Sequence, residues 1–230
     1  MVSPDEAVEF YLMKGQTVAL LALVIALAGC SVPGAPRYSD TPQSLFQPAT
    51  HLSSLTLKRS QHVGVIFDEN TQADLAYLNA YNTQARTGVE QNMLQSSIQQ
   101  AYINSSSPTL AIDAVRTSLQ QQFASVAFYP NLTAMMAARP DVIVVLDTRS
   151  TLATERSSDI QASVQAQFFD ANLAYMGEAR GMDLEHMSAV WTHTKRAPEI
   201  AAQVNAQRQV QINALQRFDA SLKAMVARIS

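Results

Sequence analysis

Cysteine is almost missing from this 230-residue chain: Cys30 is the one copy, so no intramolecular disulfide can form even where the compartment would allow it. Glycine is scarce as well, and its seven copies are scattered rather than clustered into a loop that cradles phosphate. Only 15% of residues are charged, and 16 Lys and Arg stand against 19 Asp and Glu. Nucleic-acid binding needs clustered excess basic charge, so that class of partner is not expected. Neither Gly-x-Ser-x-Gly nor Ser-x-x-Lys occurs, and catalysis has no positive support in the motifs. Long apolar runs are lacking too. The longest, Val18 to Ala28, is eleven residues, about half of the roughly twenty that a membrane-spanning helix requires.

A run of that length with Lys14 before it and small residues after it reads as a cleaved export signal, residues 1–29. Asp5, Glu6 and Glu9 spoil the positive lead such a signal needs, so Met13-Lys14 is the better translation start. Leu27-Ala28-Gly29-Cys30 resembles the box that ends bacterial lipoprotein signals. The resemblance implies cleavage between Gly29 and Cys30, a diacylglyceryl group on the Cys30 sulfur and an acylated new amino terminus. Each buried methylene contributes about 0.8 kcal/mol, so several acyl chains would hold the protein in its membrane. Ser31 stands where Asp would favour the inner membrane, which implies the outer membrane, facing the periplasm. Loss of three carboxylates and one lysine with the signal leaves a formal charge of -1.

Residues 30–60 carry the lipidated Cys30 and then Pro33, Pro36, Pro42 and Pro48 among several Ser and Thr, the composition of a flexible tether. Thirty such residues reach about 30 Å root-mean-square. Leu45, Phe46, Leu52, Leu55 and Leu57 offer an irregular apolar lead-in. Residues 61–230 then suffice for a single domain with a real core.

Within that domain His62 to Phe67 reads as a strand, and Leu75, Leu78, Ala85, Val89, Met93 and Ile98 as one helical face that Gly88 can break. Ser107-Pro108 predicts an N-cap and first helical residue, with Ile112, Val115, Leu119 and Phe123 as the stripe behind it. Ser125 to Tyr129 follows as a strand, and Asn131 caps a short helix through Ala138. Asp141 to Leu146 is apolar without alternation, so a central strand covered on both faces is expected. Ile160, Ala162, Val164, Ala166 and Phe168 alternate with Gln161, Ser163, Gln165 and Gln167, which predicts a strand with one wet face. Asp170-Ala171-Asn172 turns it into a partner at Leu173 to Ala179. A long amphipathic helix from Pro198 to Ile229 closes the chain. The fold class is α/β, a mixed sheet of about five strands with helices packed on it and a long C-terminal helix. Ile212, Leu215, Leu222, Met225 and Ile229 should cover that sheet, although the same seam would serve a coiled coil in a homo-oligomer.

Val63 to Phe67, Pro140 to Leu146 and the hairpin Gln161 to Ala179 resemble, in order and spacing, an envelope superfamily. It contains the TolB amino-terminal domain, the curli-secretion lipoprotein and the lipoprotein activator of penicillin-binding proteins. Such families bind protein partners and are not enzymes, so the resemblance implies an accessory factor for an envelope protein, without a cofactor. The curli channel needs two further amphipathic membrane hairpins that this chain lacks, so no pore is expected.

The densest titratable cluster is Asp183, Glu185, His186 and His193, with Trp191 and Lys195 nearby. Two carboxylates and two imidazoles could bind a divalent metal, yet seven residues between the histidines match no familiar ligand spacing, and a polar connector before the last helix is the expectation. Asp147 and Arg149 follow the central strand, where open α/β sheets take ligands, and a charged pair closing a strand is the plainer alternative. The Gln161 to Gln167 face and Gln203, Gln207, Gln209, Gln211 and Gln216 of the last helix offer uncharged amides for protein or glycan contact, or simply for water.

Overall fold

The computed structural model describes residues 33–40, 52–87, 96–154, 159–188, 190 and 195–227. The expected signal, Gly29, Cys30, Leu45, Phe46, Gly88, Val89, Met93, Trp191, His193 and Ile229 lie outside the described residues. The elements run β1 (His62–Phe67), α1 (Glu69–Thr87), α2 (Ser96–Ser105), α3 (Leu110–Gln122), β2 (Ser125–Phe128), α4 (Leu132–Ala138), β3 (Val142–Thr151), β4 (Asp159–Asp170), β5 (Tyr175–His186) and α5 (Ala197–Ala227). Among the described residues no helix is long and apolar enough to cross a membrane.

The five strands stand in the order β2-β1-β3-β4-β5. β1 is parallel to β2 and β3, and β3, β4 and β5 are antiparallel in turn. This is the expected mixed sheet with a long last helix. The apolar run of β3 is central and covered on both faces, because alternate residues enter different cores. Val142, Val144 and Leu146 meet Val115 and Leu119 of α3 and Phe218 and Leu222 of α5. Ile143 and Val145 pack with Phe169 of β4 and Met135 of α4. Asn131 does cap α4, accepting from the Ala134 N–H at 2.8 Å.

Several expected elements are drawn differently. The helical face from Leu75 to Ile98, which Gly88 can break, is carried by two helices, α1 ending at Thr87 and α2 beginning at Ser96. α3 starts at Leu110, after Thr109, which makes no side-chain cap bond. Only four residues separate α2 from α3, so Ser107-Pro108 is used to turn, with the Leu110 N–H reaching back to Ser107 O. β5 runs seven residues past Ala179, because β4 offers it a partner along its whole length, out to Asp159 opposite His186. Asp183, Glu185 and His186 are therefore strand residues and not a connector.

α5 buries Ile200, Val204, Gln207, Gln211, Ala214, Phe218, Leu222 and Val226. Ile200, Val204, Phe218 and Leu222 of the expected stripe are buried and Leu215 and Met225 pack half-buried against the same core, while the stripe also takes in Gln207, Gln211, Ala214 and Val226. Gly181 lets the helix backbone come down on the sheet. A Cβ there would stand 2.0 Å from Ala214 O and 2.3 Å from Phe218 N, so the helix backbone lies directly on the strand. The two buried glutamines belong to the frame rather than to a contact surface. Gln211 Nε2 donates to Ser105 O at 2.9 Å, and Gln207 Oε1 accepts from the Ala153 N–H at 2.6 Å.

α2 ends without a glycine cap, and its last carbonyls find side chains instead. Ser106 Oγ donates to Tyr102 O, Asn82 Nδ2 to Ile103 O, Arg208 Nη1 to Asn104 O and Gln211 Nε2 to Ser105 O, at 2.7 to 3.0 Å.

Parts of the region expected as free tether lie against this domain. Leu57 is fully buried in the larger core, while Leu52 and Leu55 are exposed. Ser53 is held by Tyr175 O through its N–H and by Asp170 through its hydroxyl. Residues 33–40 belong with the domain as well, as the next section describes.

Candidate functional site

β1 ends at Phe67 opposite Leu146, so the last five residues of β3 have β4 on one side and, among the described residues, no strand on the other. Backbone groups left there need partners. α1 supplies them from side chains. Thr71 Oγ1 donates to Leu146 O at 2.6 Å and accepts from the Thr148 N–H at 2.9 Å. Tyr77 accepts from the Leu152 N–H at 3.2 Å, and Tyr81 donates to Ala153 O at 3.0 Å. The match is geometric. Groups on one strand edge recur about every 6.6 Å and helix turns about every 5.4 Å, so one residue per turn keeps pace for a few steps.

At Ser150 the helix offers Asp74 in place of a hydroxyl, and Tyr38 fills the gap. The Tyr38 hydroxyl lies 2.8 Å from Ser150 O, 2.9 Å from Asp74 Oδ1 and accepts from the Ser150 N–H at 2.9 Å. Asn70 then grips Ser39 as a strand would, accepting from its N–H at 2.8 Å and donating to its carbonyl at 2.9 Å. Arg149 completes the contact. It donates to Asp40 at 2.7 Å and Ser39 O at 2.9 Å, while its guanidinium lies over the Tyr38 ring at 5.9 Å.

Burial governs the electrostatics here. It pushes the Asp68 carboxyl up to about 6, against the Thr71 N–H that Asp68 accepts as cap of α1. Burial also raises Asp74, with the bonds from Tyr38 and Ser150 pulling back, and raises Tyr77 to about 12. Arg149 is held above its ordinary value by its bonds to Asp147.

Asp147 and Arg149, singled out from the sequence, do stand together: Arg149 donates to both Asp147 oxygens, at 3.0 and 2.8 Å. They sit within β3 rather than past it. By strand alternation they share a face with Gln161, Ser163, Gln165 and Gln167 of β4, and with Glu178, Arg180, Met182 and Leu184 of β5. No hydrophobic core forms on this part of the sheet among the described residues, and Met182 and Leu184 are exposed. Two surfaces read separately in the sequence are thus one.

The other cluster does not converge. Asp183 is committed to α5, accepting from Asn213 at 2.9 Å and pairing with Arg217 at 2.7 Å. His186 points to the opposite side and pairs with Asp159, and Glu185 is exposed. Among the described residues no group of three or more potential ligands could hold a metal. A Ser-His contact occurs elsewhere, His62 Nδ1 to Ser125 Oγ at 2.6 Å, but it is exposed. Asp141 binds the His62 backbone N–H and not the ring, so the imidazole lacks an orienting carboxylate.

Sequence reasoning missed Tyr38, Ser39, Asp40, Asn70 and Asp74. The first three lay in a Pro-rich stretch. The signal for the others was the polar stripe Thr71, Asp74, Tyr77 and Tyr81, spaced three to four apart, which an apolar template passes over.

These features define an α/β protein with a mixed sheet, one wet sheet face and a strand edge closed by side chains. No protein-family model matches the chain, and no curated protein matches it. Two solved structures are similar at a low level. A variant of PelC from Paraburkholderia phytofirmans, a dodecamer, has a TM-score of 0.30 and 10% identity, over 72% of this chain and 96% of that one. A second PelC dodecamer from the same organism has 0.29 and 11%, over 72% and 94%. A likeness of that size carries no statement about function.

Proposed function

We propose that this chain is a lipid-anchored periplasmic accessory factor of the bacterial outer membrane that binds an envelope protein and carries out no catalysis. The observation that carries the reading is Leu27-Ala28-Gly29-Cys30 behind its short apolar run. The surface for the partner is the wet sheet face around Gln165, Arg149, Arg180, Met182 and Leu184, polar with two exposed apolar side chains at its edge.

The test is crosslinking in intact cells, then purification from the outer-membrane fraction and mass spectrometry. One or a few stoichiometric envelope proteins, lost when the domain is deleted but the anchor kept, support the reading. Crosslinks between copies alone would make it a homo-oligomeric coat instead. Cys30→Ser should mislocalise a folded protein and abolish function. A ligand-binding alternative through Asp147 and Arg149 predicts that Arg149→Ala abolishes glycan or small-molecule binding while anchoring persists. His186→Ala with His193→Ala, if it leaves a metal titration unchanged, removes metal from that alternative.

A further inference from the structure

The Tyr38 hydroxyl owns one hydrogen and faces two acceptors, Ser150 O and Asp74 Oδ1, while the Ser150 N–H already points at its oxygen. With Asp74 ionised, that hydrogen serves one acceptor, and the other contact becomes two oxygens with no proton between them. With Asp74 protonated, every contact has its hydrogen. Asp74 donates to Tyr38 Oη, Tyr38 to Ser150 O, the Ser150 N–H to Tyr38 Oη, and Ser150 Oγ to Asp74 Oδ2 at 3.3 Å. Asp74 is 1% exposed, and no ion pair among the described residues includes it.

We propose that Tyr38, Ser39 and Asp40 form a proton-locked clip, holding the N-terminal segment on α1 and β3 while Asp74 is neutral and releasing it when Asp74 ionises. The titratable groups facing Asp74 are Tyr38 from the segment and Tyr77 from its own helix; β3 presents Ser150 and the Thr148 hydroxyl, both of which favour the ionised form and work against burial. Arg149, with Asp147 and Asp40, flanks the far side of the Tyr38 ring. Burial keeps the docked Asp74 above its ordinary value, and undocking opens that side chain to water, which lowers it again. Docking is therefore complete at low pH and weakens as pH rises. Between the undocked and docked pKa values the docking constant falls about tenfold per pH unit.

On the lipid-anchor reading, on which this consequence rests, the clip sets the reach of the domain. Docked, it leaves the seven residues 31–37 between Cys30 and the Tyr38 contact, about 25 Å when fully extended. Released, the next hold among the described residues is Leu52 and Ser53 on β5, and the 21 residues 31–51 span about 70 Å at full extension.

The experiment is NMR on the full chain carrying Cys30→Ser. The Asp74 carboxyl carbon and the exchange of the Ser39 and Ser150 amides are followed from about pH 4 to about pH 9. Asp74 should titrate above the ordinary carboxylate range, with amide protection falling severalfold at the same midpoint. Asp74→Asn, whose amide donates and accepts as the neutral acid does, should keep the clip docked at every pH; Tyr38→Phe should lose it at every pH. An Asp74 that is ionised while the clip is docked overturns the proposal, as does an Asp74→Asn clip that titrates like the parent. Should Asp74→Asn fail to fold, coincidence of the two midpoints in the parent decides alone. No readout needs lipid, so failure of the anchor reading and failure of the clip are separate results.

Discussion

Two strand edges in this molecule are closed by helices in opposite ways. At β5 the helix lies on the strand itself: Gly181 leaves room for the α5 backbone, Ser221 Oγ accepts from the Arg180 N–H at 3.2 Å, and Arg217 donates to Met182 O. At β3 the helix stands off by the length of a side chain, and Thr71, Tyr77 and Tyr81 bridge the gap. Close approach needs one glycine and no outside help. A standing-off helix needs the right hydroxyl at each turn, and where α1 offers Asp74 the protein takes Tyr38 from forty residues' distance or so along the chain, the sequence separation being 36. The first solution is rigid and closed. The second contains a position that a proton can open.

The sharpest way to break the comparison is at its rigid side. Gly181→Val drives a Cβ into the backbone of α5, neither part of which is a flexible side-chain end, so the loss should exceed the ~1–3 kcal/mol of ordinary overpacking. Urea unfolding measures it, and a near-native midpoint would mean that α5 can ride up on the strand. Thr71→Val keeps the volume at the other edge but strips Leu146 O and the Thr148 N–H of their partner, a loss of about 2 kcal/mol in the same measurement. Asp68 caps the same helix with a carboxyl pushed up to about 6 from an ordinary 3.8. Its folded-state pKa is the higher, so its share of stability is complete below about pH 4 and is lost as pH rises through about 6. Asp68→Asn should flatten that slope by about 1 kcal/mol, allowing for solvent screening of a half-buried group. The smallest effect lies where the hairpin ends in water. Asp159→Asn breaks an exposed pair with His186 and should change stability by less than about 0.5 kcal/mol.

What was legible in the sequence followed apolar spacing. Val142 to Leu146 had to be central because it lacks alternation, and Ile160 to Phe168 had to have one wet face because it has it. Asp147 and Arg149 were legible as a pair because their spacing sets both on one face of a strand. The extent of β5 was not legible, since Met182 and Leu184 among charged residues carry no core pattern, and only the length of β4 pulls them into the sheet. Nor was the full width of the buried α5 stripe, whose Gln207 and Gln211 look like surface residues until the ends of α2 and β3 are set beside them. Tyr38 was hidden for the same reason: its partners are a backbone edge and a carboxyl, and neither has a hydropathy signature.

The last carbonyls of α2 are bonded to Arg208 and Gln211, residues more than a hundred positions later in the chain. Those partners are made well after the segments they complete, and until then Asn104 O, Ser105 O and the amides of Ala153 and Arg180 lack the groups that hold them in the fold. The early helices and strands can collapse, but they cannot finish. The end of α2 and the far ends of β3 and β5 are therefore completed only when α5 has been made.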